Sequence, residues 1–414
     1  MLQLAQRLDA NDPGLAADLA NPPSLTQVRQ IAQETNTTLV EYAQIFNDAL
    51  YIWIVQPSGE ITFRSVELSG NGDETGQTML ATLDGPVYRG AEPPSELDTL
   101  IADTRATVTV IRNNTSPEKL KALHQLLIDP IADLLPTDPT AQVTFIPQGS
   151  LFLVPFAALQ DEAGTYLLEK HTILTAPSIQ VLGLARGAGM ENGEQEIGNQ
   201  TDALVVGNPT MPKVWVQDGK GALEEIQLSS LAGAEDEALL IGDRLGVTPL
   251  LQGQATEAEI KRRLPGASWI HLATHGLLGY GDPQSSGVLD LPGAVALAAG
   301  NGEDGLLTAA EIIQMDLQAE LAILSACDTG RGRITGDGVV GLSRALMTAG
   351  VPSVMVSLWA VPDQPTAELM TAFYEQLQRG ETKAQALRQA MLLTMAQHPD
   401  PRNWAAFTLM GEGL

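Results

Sequence analysis

One cysteine, Cys327, occurs in the 414 residues of the chain. A lone thiol cannot close an intrachain disulfide, so oxidation has no part in the fold and a reducing compartment suits it. Basic residues are also scarce: 23 Lys and Arg face 50 Asp and Glu, for a formal net charge of −27. A phosphate backbone is bound by cations that displace its counterions, so nucleic acid is excluded as a partner and an anionic membrane surface is disfavoured. The acidity is read as a solubilising surface. No apolar run reaches the length of a membrane span, and Met1-Leu-Gln-Leu-Ala-Gln-Arg lacks the basic-then-apolar order of a signal peptide. A cytoplasmic protein is expected. Internal repeats are not visible either.

What is present is organised around the cysteine. Leu321-Ala-Ile-Leu-Ser-Ala-Cys-Asp-Thr-Gly330 is a compact apolar run stopped by turn residues, which predicts a buried strand delivering Cys327 to its carboxyl end. Ser268-Trp-Ile-His-Leu-Ala-Thr-His-Gly276 predicts a second such strand that releases His275 and Gly276. In an open parallel sheet the carboxyl ends of the strands share one rim, where ligand crevices form. An imidazole and a thiol on that rim are the ingredients of nucleophilic cysteine catalysis, with backbone N–H groups to hold an oxyanion. His275 lies about 50 residues upstream of Cys327, a separation shared with the caspase signature.

The rest of the chain reads as follows. Residues 1–35 form a helical lead-in broken by Asn11-Asp-Pro-Gly14, like the end of a longer helical array, with Ser24 capping its last helix. Residues 36–185 form an amino-terminal α/β lobe: strands over Thr37–Tyr42, Ala49–Val55 and Ile61–Leu68, a helix over 118–135, and a strand at Gln142–Ile146. Residues 186–201 are polar and Gly-rich and read as a linker or surface loop. From 202 to 414 strands alternate with helices, which predicts a parallel sheet covered on both faces.

Competing chemistry is weaker. His271 and His275, four apart, would chelate a metal on a helix, but on a strand they stand about 13 Å apart. A metalloprotease helix would also need Glu at position 272, which is Leu. The run Gly330-Arg-Gly-Arg-Ile-Thr-Gly-Asp-Gly338 lacks the Gly-Lys-Ser/Thr ending of a phosphate loop. His124 and His171 have no metal-type partners nearby and read as surface or hydrogen-bonded core residues.

His271-Leu-Ala-Thr-His-Gly276, Leu324-Ser-Ala-Cys-Asp-Thr-Gly330, Gly336-Asp-Gly-Val-Val-Gly-Leu-Ser-Arg-Ala-Leu346, Ser357-Leu-Trp-Ala-Val-Pro-Asp363 and Trp404-Ala-Ala-Phe407 together resemble the CHAT family. These are caspase-like domains related to separases and caspases, often found after tetratricopeptide repeats. Tyr42–Leu68 and Ile146-Pro-Gln-Gly-Ser-Leu-Phe-Leu-Val-Pro-Phe156 look like the lobe that precedes the peptidase half. The resemblance implies a caspase-like three-layer α/β/α sandwich with a mostly parallel sheet, preceded by a smaller α/β lobe and a short helical lead-in. It implies a cysteine endopeptidase with a His275–Cys327 dyad, an oxyanion hole from the backbone of Gly276 and Cys327, and substrate pairing along Ser357, Leu358 and Trp359. No metal or cofactor is implied. The partners would be a protein or peptide substrate and a regulatory protein or upstream repeat domain. The alternative is a non-catalytic interaction module that keeps the fold; the intact dyad counts against it. In this chain the glycine after the cysteine comes only at 330, a departure from caspases, and no arginine cluster is evident to hold an acidic substrate residue. Asp328 is a candidate pocket acid favouring Lys or Arg before the scissile bond. Otherwise Asp328 only caps a turn, and a pocket walled by Trp359 takes an apolar residue.

Overall fold

The computed structural model describes residues 22–45, 49–68, 95–109, 117–191, 202–217, 223–278, 280, 293–326, 336–359 and 362–414. The lead-in before residue 22, the polar loop at 70–76 and the segment 327–335 lie outside the described residues.

Helix α1 (Leu25–Glu34) starts on Ser24, whose hydroxyl accepts from the Gln27 N–H while the Gln27 side chain accepts from the Ser24 N–H, the expected capping box. Strands β1 (Thr37–Ile45), β2 (Ala49–Val55) and β3 (Ile61–Glu67) form an antiparallel meander through the Pro57-Ser-Gly59 turn, where Gly59 takes φ +85°. Helices α2 (Glu96–Thr109) and α3 (Pro117–Leu127) follow. The single helix expected over 118–135 is instead α3 plus a 3-10 helix at Asp129–Leu134, because Pro130 cannot donate the bond that would continue α3. Next come β4 (Gln142–Ile146), two 3-10 turns through 149–158, α4 (Leu167–Lys170), β5 (Thr172–Thr175) and α5 (Ile179–Glu191). The expected linker thus begins as helix; residues 192–201 lie outside the described residues.

The second half runs β6 (Leu204–Pro209), β7 (Lys213–Gln217), β8 (Leu223–Gln227), α6 (Ala232–Leu245), β9 (Leu250–Gln252), α7 (Glu257–Arg263), β10 (Trp269–Thr274), β11 (Gly276–Leu277), β12 (Ala294–Ala296), β13 (Leu306–Thr308) and α8 (Ala309–Ile312). It continues with β14 (Leu321–Ala326), α9 (Gly336–Thr348), β15 (Ser353–Ser357), α10 (Asp363–Gln378), α11 (Lys383–Gln397) and β16 (Phe407–Gly411).

Among the described residues eleven strands join one sheet in the order β3-β2-β1-β4-β5-β16-β15-β14-β10-β6-β9. From β15 to β9 the neighbours are parallel, and β16 runs antiparallel to β15. The amino-terminal lobe does not sit apart. Its strand β5 pairs with β16 through Thr175 and Met410, and the Thr175 and Thr408 hydroxyls meet at 3.0 Å. The two halves therefore share one sheet.

Every residue of β10 is buried, so both faces of the sheet centre are covered, as its mainly apolar sequence demands. Helix α6 lies directly on β6 because Gly207 has no side chain: a Cβ there would meet Ala238 Cβ at 2.3 Å. Helices α10 and α11 pack on each other and extend that layer through Phe373, Tyr374, Leu387 and Met391, all buried. In the lobe, Phe145 stacks on Phe156 at 4.3 Å, and Tyr42 donates from its buried hydroxyl to the Leu127 carbonyl at 2.8 Å. Each such buried side chain contributes about 1.5–3 kcal/mol of apolar transfer.

Candidate active site

Strands β10 and β14 pair in parallel from Trp269 and Leu321 to Thr274 and Ala326. The next residue of each chain is His275 and Cys327. The register thus brings both strands to the same level one residue before the predicted pair. Cys327 and Asp328 themselves lie outside the described residues. His275 is described, and it is 1% exposed.

The geometry of His275 defines its tautomer. Its Nε2 lies 2.8 Å from the carbonyl oxygen of Ser229. A carbonyl only accepts, so Nε2 carries the hydrogen, and in the neutral ring Nδ1 holds the lone pair. Ser229 is in turn fixed from below. Asn208, near the end of β6, takes φ +43° and turns its side-chain oxygen to the N–H of Leu231 (2.8 Å) and the hydroxyl of Ser230 (3.0 Å). Its amide nitrogen donates to Glu235 at 2.9 Å, which settles which way the amide faces. Glu235 also accepts from Gln252, and these bonds hold its carboxyl below the usual range.

Gly276 enters the short sheet β11-β12-β13. The carbonyl of His275 accepts from the Ala296 N–H at 2.9 Å, so residues 275 and 296 form the hydrogen-bonded kind of antiparallel pair. Gly276 and Val295, the next pair, belong to the other kind, with the Gly276 N–H turned away from β12.

Beneath the rim lies a buried polar chain. His271, in the middle of β10, has Nδ1 3.1 Å from the Tyr374 hydroxyl and Nε2 3.1 Å from the Glu237 carboxylate. The other oxygen of that carboxylate accepts from the Ser325 hydroxyl at 3.0 Å. A single carboxylate of α6, 4% exposed, therefore ties β10 to β14 two residues before Cys327. His271 is accordingly a satisfied core histidine.

The predicted substrate segment sits on the far side of β14. Ser357 ends β15 and is buried. The Leu358 N–H donates to the Ala406 carbonyl at 2.7 Å, and its side chain lines a core cavity of about 20 Å³ with Phe156, Arg388 and Phe407. Trp359 is buried, and its indole N–H donates to the Arg402 carbonyl at 3.1 Å. Asp363 packs against the first turn of α6, where a Cβ on Gly233 would fall 1.9 Å from its Cγ.

Among the described residues three carboxylates converge elsewhere, Glu257, Glu303 and Glu311. The Lys261 ammonium already stands among them, at 2.5, 3.0 and 2.7 Å. That cluster is an ion-pair hub, and through the Gly305 N–H on Glu257 (2.8 Å) it pins the loop before β13. His124 is buried against Asp129 at 2.8 Å, and His171 is a buried core residue.

Asn208, Ser229 and Glu237 were not singled out from the sequence. Asn in Gly207-Asn-Pro209 at a strand end carries a turn signal, but a backbone carbonyl acting as a histidine partner leaves none.

A family model described as the CHAT domain matches residues 117–412. Tetratricopeptide repeat protein 28 of Mus musculus is 28% identical over 363 residues, covering 79% of this chain and 14% of that protein. Its Homo sapiens counterpart is 29% identical over 332 residues, covering 71% and 13%. The chain thus spans about one seventh of the length of these relatives. A crystal structure of the Saccharomyces cerevisiae separase–securin complex superposes with a TM-score of 0.54 at 12% identity, over 93% of this chain and 30% of that one. At that identity the likeness concerns the fold, which is caspase-like.

Proposed function

The chain belongs to the CHAT domain family, and we propose that it is a cysteine endopeptidase acting through His275 and Cys327. The observation that carries this reading is the registered pair Thr274 and Ala326, each followed directly by one member of the dyad. The tautomer of His275 supports it: with Nε2–H held by Ser229, the ring can take a proton on Nδ1 and return it.

In the proposed reaction the Cys327 sulfur attacks the carbonyl carbon of a peptide bond, and the thiol proton passes to His275 Nδ1. A C–S bond forms while charge collects on the carbonyl oxygen, stabilised by the N–H groups of Gly276 and Cys327. The imidazolium then protonates the leaving amine as the C–N bond breaks. Water, deprotonated by the same nitrogen, hydrolyses the thioester and restores the thiol. No metal or cofactor enters. A partner protein or an upstream repeat region regulates access; the relatives named for tetratricopeptide repeats suggest the second. The acidic surface and reduced thiol suit a cytoplasmic setting.

The test is amino-terminal labelling of a proteome incubated with the wild type and with Cys327→Ala. New termini that appear only with the wild type support the peptidase. Identical sets would leave the non-catalytic interaction module as the better account.

A further inference from the structure

Arg105 is nine-tenths buried on α2, and its guanidinium crosses to the other half of the molecule, where Nη2 donates to the Leu358 carbonyl at 2.9 Å. Its Nη1 is buried and has no hydrogen-bond partner. Among the described residues no ion pair joins Arg105 to a carboxylate, in a chain carrying 50 of them. Burial alone pushes the guanidinium down to about 10, so it stays charged at neutral pH. A buried cation whose one side-chain acceptor among the described residues is a neutral carbonyl is costly, and its spare donors suit it to pair with an anion.

Its place in the sheet says which anion. The pairing Leu324 with Val356, carried two residues further, brings Leu358 level with Ala326, one strand spacing (about 4.8 Å) away. Strand β14 lies between β10 and β15. A histidine that protonates the leaving amine from β10 puts the carboxyl-side half of a substrate over that strand. The residue before the scissile bond then falls over β15, where Leu358 holds Arg105. We infer that Arg105 is a specificity-determining residue that binds the carboxylate of an Asp or Glu immediately before the scissile bond. This rests on the peptidase reading and deepens it. It also replaces the pocket acid considered for Asp328: the charge that selects is positive and comes from the amino-terminal lobe. A charged donor fork discriminates a carboxylate from its isosteric amide far better than it discriminates size.

The experiment uses two pools of acetylated tetrapeptide amides, random at the first three positions and ending in Asp or in Asn. Binding to the Cys327→Ala protein, which needs no catalysis, is measured by calorimetry, alone and with Arg105→Gln or Arg105→Lys added. The Asp pool is expected to bind at least about tenfold tighter than the Asn pool. Arg105→Gln should erase the difference, while Arg105→Lys, which keeps the charge, should retain part of it. Equal binding of the two pools, or a preference that survives Arg105→Gln, overturns the proposal. A cleavage library run in parallel separates the two readings. Cleavage after apolar or basic residues contradicts the role of Arg105 and leaves the peptidase standing. Acid-selective binding without any cleavage keeps the carboxylate site and removes the peptidase.

Discussion

Glu237 offers the sharpest test of how the rim is held together. Its carboxylate is 4% exposed and bridges His271 on β10 to Ser325 on β14 at 3.1 and 3.0 Å. Hydrogen bonds to a charged group contribute about 1.5–3 kcal/mol each, and a buried donor left unpaired costs about 1–3 kcal/mol. Relief of the carboxylate's own desolvation offsets part of this, so Glu237→Ala should cost about 2–4 kcal/mol net. Glu237→Gln should cost about half as much, because the amide oxygen keeps one bond while the Ser325 hydroxyl can turn to accept the other. Urea unfolding at neutral pH measures both, with the slope m unchanged if only stability moves. A double-mutant cycle with Ser325→Ala isolates the bridge, and a coupling above about 1 kcal/mol is expected for groups in direct contact. If Glu237→Ala stays within about 0.5 kcal/mol of the wild type, or the coupling vanishes, the two strands are not tied by this carboxylate.

Other outcomes follow from the same structure. Asn208→Gly preserves the left-handed backbone but frees the 229–231 turn, so kcat/KM should fall about tenfold or more with a stability loss near 1 kcal/mol; unchanged activity would show that Ser229 needs no support. Burial with nearby cations Lys170 and Arg388 lowers His171 to about 4, so the unfolded chain takes up a proton there that the folded chain refuses. Its contribution is therefore present above about pH 6.5 and lost as pH falls toward 4, on the order of 2 kcal/mol; urea midpoints should show a shallower acid loss for His171→Asn. At Lys261, burial works against the charge, but the hydrogen bonds it donates to Glu257, Glu311 and Glu303 outweigh it and hold the ammonium above its ordinary range. Lys261→Met should destabilise by about 3 kcal/mol at neutral pH, and the deficit should shrink as acid protonates the three carboxylates; a deficit independent of pH would contradict the hub.

The strands that build the rim were legible because β10 and β14 are apolar runs ended by turn residues, the pattern of strands buried on both faces. Strands of two or three residues, β11 to β13, have no period to read, and the exposed β8 lacks apolar alternation. The antiparallel run of β16 depends on the short path from α11 through the 3-10 turn at Pro401–Asn403, which no side-chain pattern encodes. At the site, His275 and Gly276 were visible as residue types. The Ser229 carbonyl was not, since any residue supplies one. Glu237 sits on a helix where a carboxylate ordinarily faces water, and only tertiary pairing with His271 and Ser325 takes it inside. Arg105 was hidden for a similar reason: it comes from the amino-terminal lobe, far from the motifs in sequence.

The most direct measurement is kcat/KM on a peptide drawn from a labelled cleavage site, for Cys327→Ala, His275→Ala and the double variant, with thermal melts confirming the fold. A pair that works as a unit loses nearly everything with either member, so each single variant should fall to the level of the double. Appreciable cleavage by Cys327→Ala, or losses that multiply in the double variant, would contradict the dyad.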